Sequence, residues 1–171
     1  MVFLKRNTLG GGFLFEIGDK IVYPMHGAGI IEAVEKREVL GETHDYYVLN
    51  MKVANMQVFI PVGKEDKFGL RRVVDGKTID EVLNQPWMDA SELPSDSNQR
   101  YRQNMEKVKS NNLYQIAQVV HDLTLRNRDK VLPTGEKALL DNAKQILISE
   151  LVLVKDIEEE HAVRLINQVV F

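Results

Sequence analysis

With 171 residues, 44% of them hydrophobic and 27% charged, the chain has the composition of a globular protein with room for one ordinary domain or two small ones. It contains no cysteine, which removes disulfides, thiolate metal sites and cysteine nucleophiles. The net charge of -3 is unevenly spread: residues 97–144 carry nine Lys/Arg against five Asp/Glu. Such a basic block suits a solvated helix surface, and it also suits nucleic acid, because local cation density governs that contact.

Residues 1–12 close in Gly10-Gly11-Gly12 and join no periodic pattern. They read as a flexible leader, without the apolar core or cleavage site of a signal peptide. No apolar run approaches the roughly 18 residues that a bilayer span needs. Residues 13–75 read as strands. Lys20-Ile21-Val22-Tyr23 leads into a tight corner, Pro24-Met25-His26-Gly27-Ala28-Gly29, where Pro presets φ and glycine supplies positive φ. Ile30–Val34 and Lys36–Leu40 follow, then a turn at Gly41-Glu42, then Tyr46–Met51 and Met56–Ile60, stopped by Pro61. Five short strands at this spacing predict a small antiparallel barrel.

The period becomes helical near residue 78. Thr78–Leu83 predicts a short helix, and residues 85–97, with Pro86, Pro94 and several acids, read as a linker. Ser97-Asn98 can cap a helix to about Lys109, with Tyr101, Met105 and Val108 on one face. Asn111-Asn112 caps a longer one, striped by Leu113, Ile116, Ala117, Val120 and Leu123 and loaded with Arg126, Arg128 and Lys130 at its end, as the helix dipole favours. A helix from Pro133-Thr134 buries Leu139, Leu140, Ala143, Ile146, Leu147 and Leu151. Asp156 and Glu159 have the spacing of a capping box before the last helix, which packs Ala162, Leu165 and Ile166. The expected fold is therefore α+β in two domains, a β-barrel over 13–75 and a compact all-α bundle over 76–171.

Catalytic signatures are missing. The sequence has no phosphate loop, no dinucleotide-binding glycine pattern and no nucleophile elbow. His26, His44, His121 and His161 lie in four segments without metal-ligand spacing. No enzyme, metal or cofactor is expected, since catalysis needs converging groups that nothing here supplies.

Phe15-Glu16-Ile17-Gly18-Asp19-Lys20-Ile21-Val22-Tyr23-Pro24-Met25-His26-Gly27 resembles the opening of the CarD/CdnL family of bacterial transcription regulators, with its Val-Tyr-Pro-x-His-Gly corner. A second block agrees: Arg100-Tyr101-Arg102, Asn104, Val119-Val120, Asp122-Leu123, Gly135-Glu136-Lys137, Gln145-Ile146-Leu147 and Glu150-Leu151. The first block is shared with the transcription-repair coupling factor, whose helicase motifs this chain lacks. The resemblance runs from about residue 13 to the C-terminus. It implies that the N-terminal domain is a Tudor-like barrel docking on the RNA polymerase β subunit by pairing an edge strand. The matching strand is Met56-Gln57-Val58-Phe59-Ile60, supported by Arg37. It further implies that the helical domain contacts promoter DNA without reading bases, near the upstream edge of the bubble, through Arg100, Arg102 and Lys137. Three phosphate contacts would give a shallow dependence of log affinity on log salt, roughly −3.

One position departs from the family. Many relatives carry a tryptophan wedge just before the basic helix, and Ser97 stands there in this chain. Trp87, the one tryptophan, reads as an inter-domain packing residue near the linker. The resemblance implies a cytoplasmic, nucleoid-associated regulator, with polymerase and promoter DNA as partners and no membrane or small-molecule substrate, that modulates open-complex stability. Two other readings stay open: an adaptor whose helical domain binds protein, and a sequence-specific DNA binder reading bases with Gln115 and Gln118.

Overall fold

A computed structural model describes residues 13–87 and 93–169 of the chain. The leader at 1–12 and the middle of the expected linker, 88–92, lie outside the described residues. Five strands come first: β1 (Lys20–Tyr23), β2 (Gly27–Val39), β3 (Glu42–Met51), β4 (Met56–Pro61) and β5 (Arg71–Arg72). Five helices follow: α1 (Gly76–Asn84), α2 (Ser97–Lys109), α3 (Leu113–Asp129), α4 (Thr134–Lys155) and α5 (Glu159–Val169).

The strands form one antiparallel sheet in the order β4-β3-β2-β1-β5. No ladder joins β4 to β5 among the described residues, so the sheet is open and not the closed barrel expected from strand spacing. The segment after Pro61 covers the seam instead, packing Val62, Phe68 and Leu70 against a core of Phe15, Ile21, Ile31, Tyr47, Leu49, Met51 and Ile60. The two runs expected at 30–34 and 36–40 are one strand, β2. Its register shifts between Ile31 and Ala33. The irregularity at Glu32 breaks the apolar alternation without ending the pairing. Glu32 then accepts hydrogen bonds from Asn50 Nδ2 and Gln57 Nε2 at 3.0 and 2.7 Å across the sheet.

Side-chain caps set the helix starts. Asp75, Asp96 and Asn112 accept from the backbone N–H of Thr78, Gln99 and Gln115 and cap α1, α2 and α3. The first two caps lie upstream of the expected helix start at Thr78 and of the expected Ser97-Asn98 cap. Asp156 was expected to cap α5. It is instead the left-handed residue (φ 52°) that ends α4, with Ile157 N–H donating back to the Val152 carbonyl at 3.3 Å.

Sheet and bundle share a core. Val22 and Ala28 belong to the same buried cluster as Ile116, Val120, Leu139, Ala143, Ile146 and Leu147. The Pro24 corner is why. His26 N–H donates to the Tyr23 carbonyl at 3.0 Å and the two rings stack at 4.8 Å, with Met25 left-handed at φ 67°. This turn aims Met25 at the bundle, where its carbonyl accepts from Asn142 Nδ2 at 2.9 Å. Ala28 N–H donates to Ser149 Oγ at 2.8 Å. A Cβ on Gly27, itself at φ +98°, would sit 2.6 Å from that Oγ. Lys20 Nζ donates to the Leu153 carbonyl at 2.7 Å, satisfying one of the free carbonyls at the end of α4.

Candidate functional site

β4 lies at one edge of the sheet, with β3 as its one neighbour among the described residues. Register puts Ala33, Glu35, Arg37 and Val39 of β2 on one face with His44, Tyr46 and Val48 of β3 and with Phe59 and Pro61 of β4. The Arg37 guanidinium lies 3.5 Å from the centre of the Phe59 ring. A cation over an aromatic face is held by the ring quadrupole, so the pair braces an otherwise mobile arginine. Arg37 also approaches Glu35 at 3.5 Å.

The expected docking residues divide by face. Phe59 and Gln57 look outward. Val58, paired with Leu49, packs toward the sheet core, and Ile60 is buried there. Met56, opposite Met51, is exposed at the strand's start. Ile60 therefore presents no side chain on the outer face, because it is buried in the sheet core.

The N-termini of α2 and α4 lie together. Arg100 joins them. Its Nε and Nη2 donate to the two carboxylate oxygens of Glu136 at 2.6 and 2.7 Å, and its Nη1 donates to the carbonyls of Pro94 and Ser95. The side chains are 2% and 1% exposed. This corrects the expectation that Arg100 meets a phosphate. Reaching one would strip a buried carboxylate of its counter-charge, which costs about 3–5 kcal/mol. Arg102 and Lys137 are exposed on the same two helix starts, and Ser97 is half-buried in the first turn of α2. Trp87 stacks on His121 of α3 with ring centres 5.6 Å apart, and His121 Nδ1 lies 3.0 Å from Asp122 Oδ1. Its ring partner is in the bundle, and it packs against the cluster in which Val22 and Ala28 of the sheet join the helices.

Sequence reasoning missed the polar clamp between sheet and bundle. Arg71 donates to both Glu150 oxygens at 2.7 and 2.8 Å, and Val74 N–H donates to Glu150 Oε1 at 2.9 Å. Arg71 Nε donates to the Asn111 carbonyl, and Asn111 Nδ2 bonds the carbonyls of Val22 and Gly69. Glu150 is fully buried. One signal was available: Glu150 stands with Ala143, Leu147 and Leu151 on the apolar face of α4, where a charge needs a partner.

Among the described residues no group of His, Asp or Glu has the arrangement of a metal site, and no helix is long and apolar enough to cross a membrane. The protein is an open antiparallel sheet, with β4 at one edge among the described residues, packed on a helical bundle that exposes Arg102 and Lys137 at the starts of α2 and α4. Residues 15–74 match the family described as "CarD-like/TRCF RID domain", and residues 79–167 match "CarD, C-terminal domain". The chain belongs to the CarD family, which makes it a non-enzymatic regulator of transcription acting through RNA polymerase. A protein of Bacillus subtilis (strain 168) described as "Putative transcription factor YdeB" is 42% identical over 147 residues, spanning 86% of this chain and 96% of that one.

Proposed function

We propose that residues 13–75 dock on the polymerase β subunit through the edge of β4 and the Arg37–Phe59 pair. The helical part, 76–171, then lies against promoter DNA at the upstream edge of the bubble and changes the lifetime of the open complex. The observation that carries this reading is the unpaired edge of β4 with Phe59 held beside it by Arg37. A bare edge supplies backbone donors and acceptors to a partner strand, and the flanking side chains select which strand. On the DNA side Arg102 and Lys137 meet phosphates, with Ser97 between them and the bubble. A factor that contacts only the open state raises its population by its differential affinity for that state. Docking supplies the effective concentration that so few phosphate contacts cannot. The site of action is the cytoplasm, at the nucleoid.

The test is open-complex lifetime on a promoter with cognate polymerase, using the chain as it stands, Phe59→Ala and Ser97→Trp. Phe59→Ala should lose polymerase binding and any effect on lifetime together. Prolongation by the unmodified chain would mean that no aromatic wedge is needed; prolongation by Ser97→Trp alone would mean that docking is intact and the wedge is missing. With Arg100 withdrawn, two phosphate contacts remain, and the slope of log affinity against log salt should be about −2. The adaptor reading gains ground if that slope is flat.

A further inference from the structure

Five non-glycine residues among those described have positive φ: Met25, Leu40, Asn55, Asn111 and Asp156. Three are Asn or Asp, the types that tolerate this conformation best. Met25 uses it to reach the bundle core. Leu40 has neither excuse. It sits at φ 54° with Gly41 at φ 82° in a two-residue hairpin loop closed by the Val39–Glu42 pair. That loop geometry favours Asn-Gly, and a branched aliphatic residue is out of place in it. The side chain is 100% exposed, so no internal contact offsets the strain.

The hairpin also stands clear of the sheet. β4 pairs with β3 as far as Tyr46–Pro61, and Val62 N–H still reaches the Asp45 carbonyl, so residues 37–44 form a two-stranded ribbon beyond it. Val39, itself 47% exposed, lies on the same face as Arg37, Tyr46 and Phe59. The docking face therefore continues without a break up the ribbon to an apolar tip. Local rules broken at no internal gain mark positions kept for an external contact.

We infer that Leu40, with Val39 beside it, is an apolar anchor that enters a pocket on the polymerase surface to which β4 binds. The inference rests on the docking reading above and deepens it: edge pairing supplies one half of the contact, and burial of the Leu40 side chain the other. The test compares the full chain with Leu40→Asn and Leu40→Met, measuring affinity for purified cognate polymerase and thermal midpoint. Leu40→Asn suits the left-handed turn, so its midpoint should hold or rise while affinity falls about tenfold, the loss expected from an unburied leucine side chain. Leu40→Met keeps an apolar tip and should bind nearly as the unmodified chain does. Equal affinity for Leu40→Asn overturns the anchor while leaving docking through β4 standing. Absence of binding by the unmodified chain overturns the docking reading and the anchor with it. Sedimentation of the unmodified chain as a dimer that Leu40→Asn dissociates would assign the tip to a second copy and overturn the proposal.

Discussion

Arg100 and Arg102 stand two residues apart on α2 and have different surroundings. Arg100 falls on the inward stripe with Asn104 and Val108, all three buried, whereas Arg102 points to solvent. Arg100→Ala would leave Glu136 charged and alone in the core, so it should cost about 3–5 kcal/mol in chemical denaturation. Arg102→Ala should stay within about 0.5 kcal/mol, as surface changes do. Both residues match family basic positions, so the resemblance did not separate them. The four-residue spacing from Arg100 to Asn104 to Val108 is the legible sign that it did not use. Gly27 makes a second residue-scale case. Gly27→Ala combines a left-handed alanine with a Cβ 2.6 Å from Ser149 Oγ. A fall of about 2–4 kcal/mol is expected. Measured in a Ser149→Gly background, which already lacks the Ala28 hydrogen bond, Gly27→Ala should cost only its backbone part, read as the difference between those two denaturation curves.

Among the elements, α3 was legible almost to the residue, because a capping asparagine, an apolar stripe and terminal cations all agree. β5 was not, since two residues carry no period. The length of β2 was hidden because residues 35–39 are all exposed and mostly charged, so they show no apolar alternation. The sheet core also holds a titrating element contact. Tyr47 is buried under Phe15, whose N–H donates to the Tyr47 hydroxyl at 3.2 Å. Burial, chiefly, and the Glu65 carboxylate raise its phenol above the ordinary value of 10.0, against the Phe15 hydrogen bond. A raised acid is favoured neutral in the folded chain. The stability it confers is therefore whole below pH 10.0 and is lost as pH climbs through the folded value. The sheet should melt on alkaline titration, and in Tyr47→Phe the midpoint of that transition should move to higher pH, followed by circular dichroism.

Across the whole molecule, the sequence suggests two parts joined by a linker; the sheet keeps a core of its own, while its Val22 and Ala28 join a second core with the bundle. Apolar periodicity finds helices and strands but is blind to which faces meet. The meeting here depends on polar groups that look ordinary in sequence, Arg71, Asn111, Ser149 and Glu150. The clamp should respond unequally to its two ends. Arg71→Ala strands the fully buried Glu150 carboxylate and should cost about 3–5 kcal/mol. Glu150→Gln should cost less, since Arg71 is 25% exposed and can turn to water while the amide oxygen still serves Val74. Guanidinium unfolding followed by Trp87 fluorescence, which reports the bundle, and by far-ultraviolet dichroism should give one coincident transition for the unmodified chain.

The shared interior also sets an order of events on the ribosome. Residues 20–74 are synthesised first, yet the Ala28 amide and the carbonyls of Val22 and Met25 take partners from Ser149, Asn111 and Asn142. Until those later residues leave the exit tunnel, the newborn sheet holds Val22 and Ala28 uncovered and those three backbone groups without their partners. Its final shape must wait for α4, and a chain interrupted before residue 142 would present to chaperones an apolar patch that the finished protein never shows.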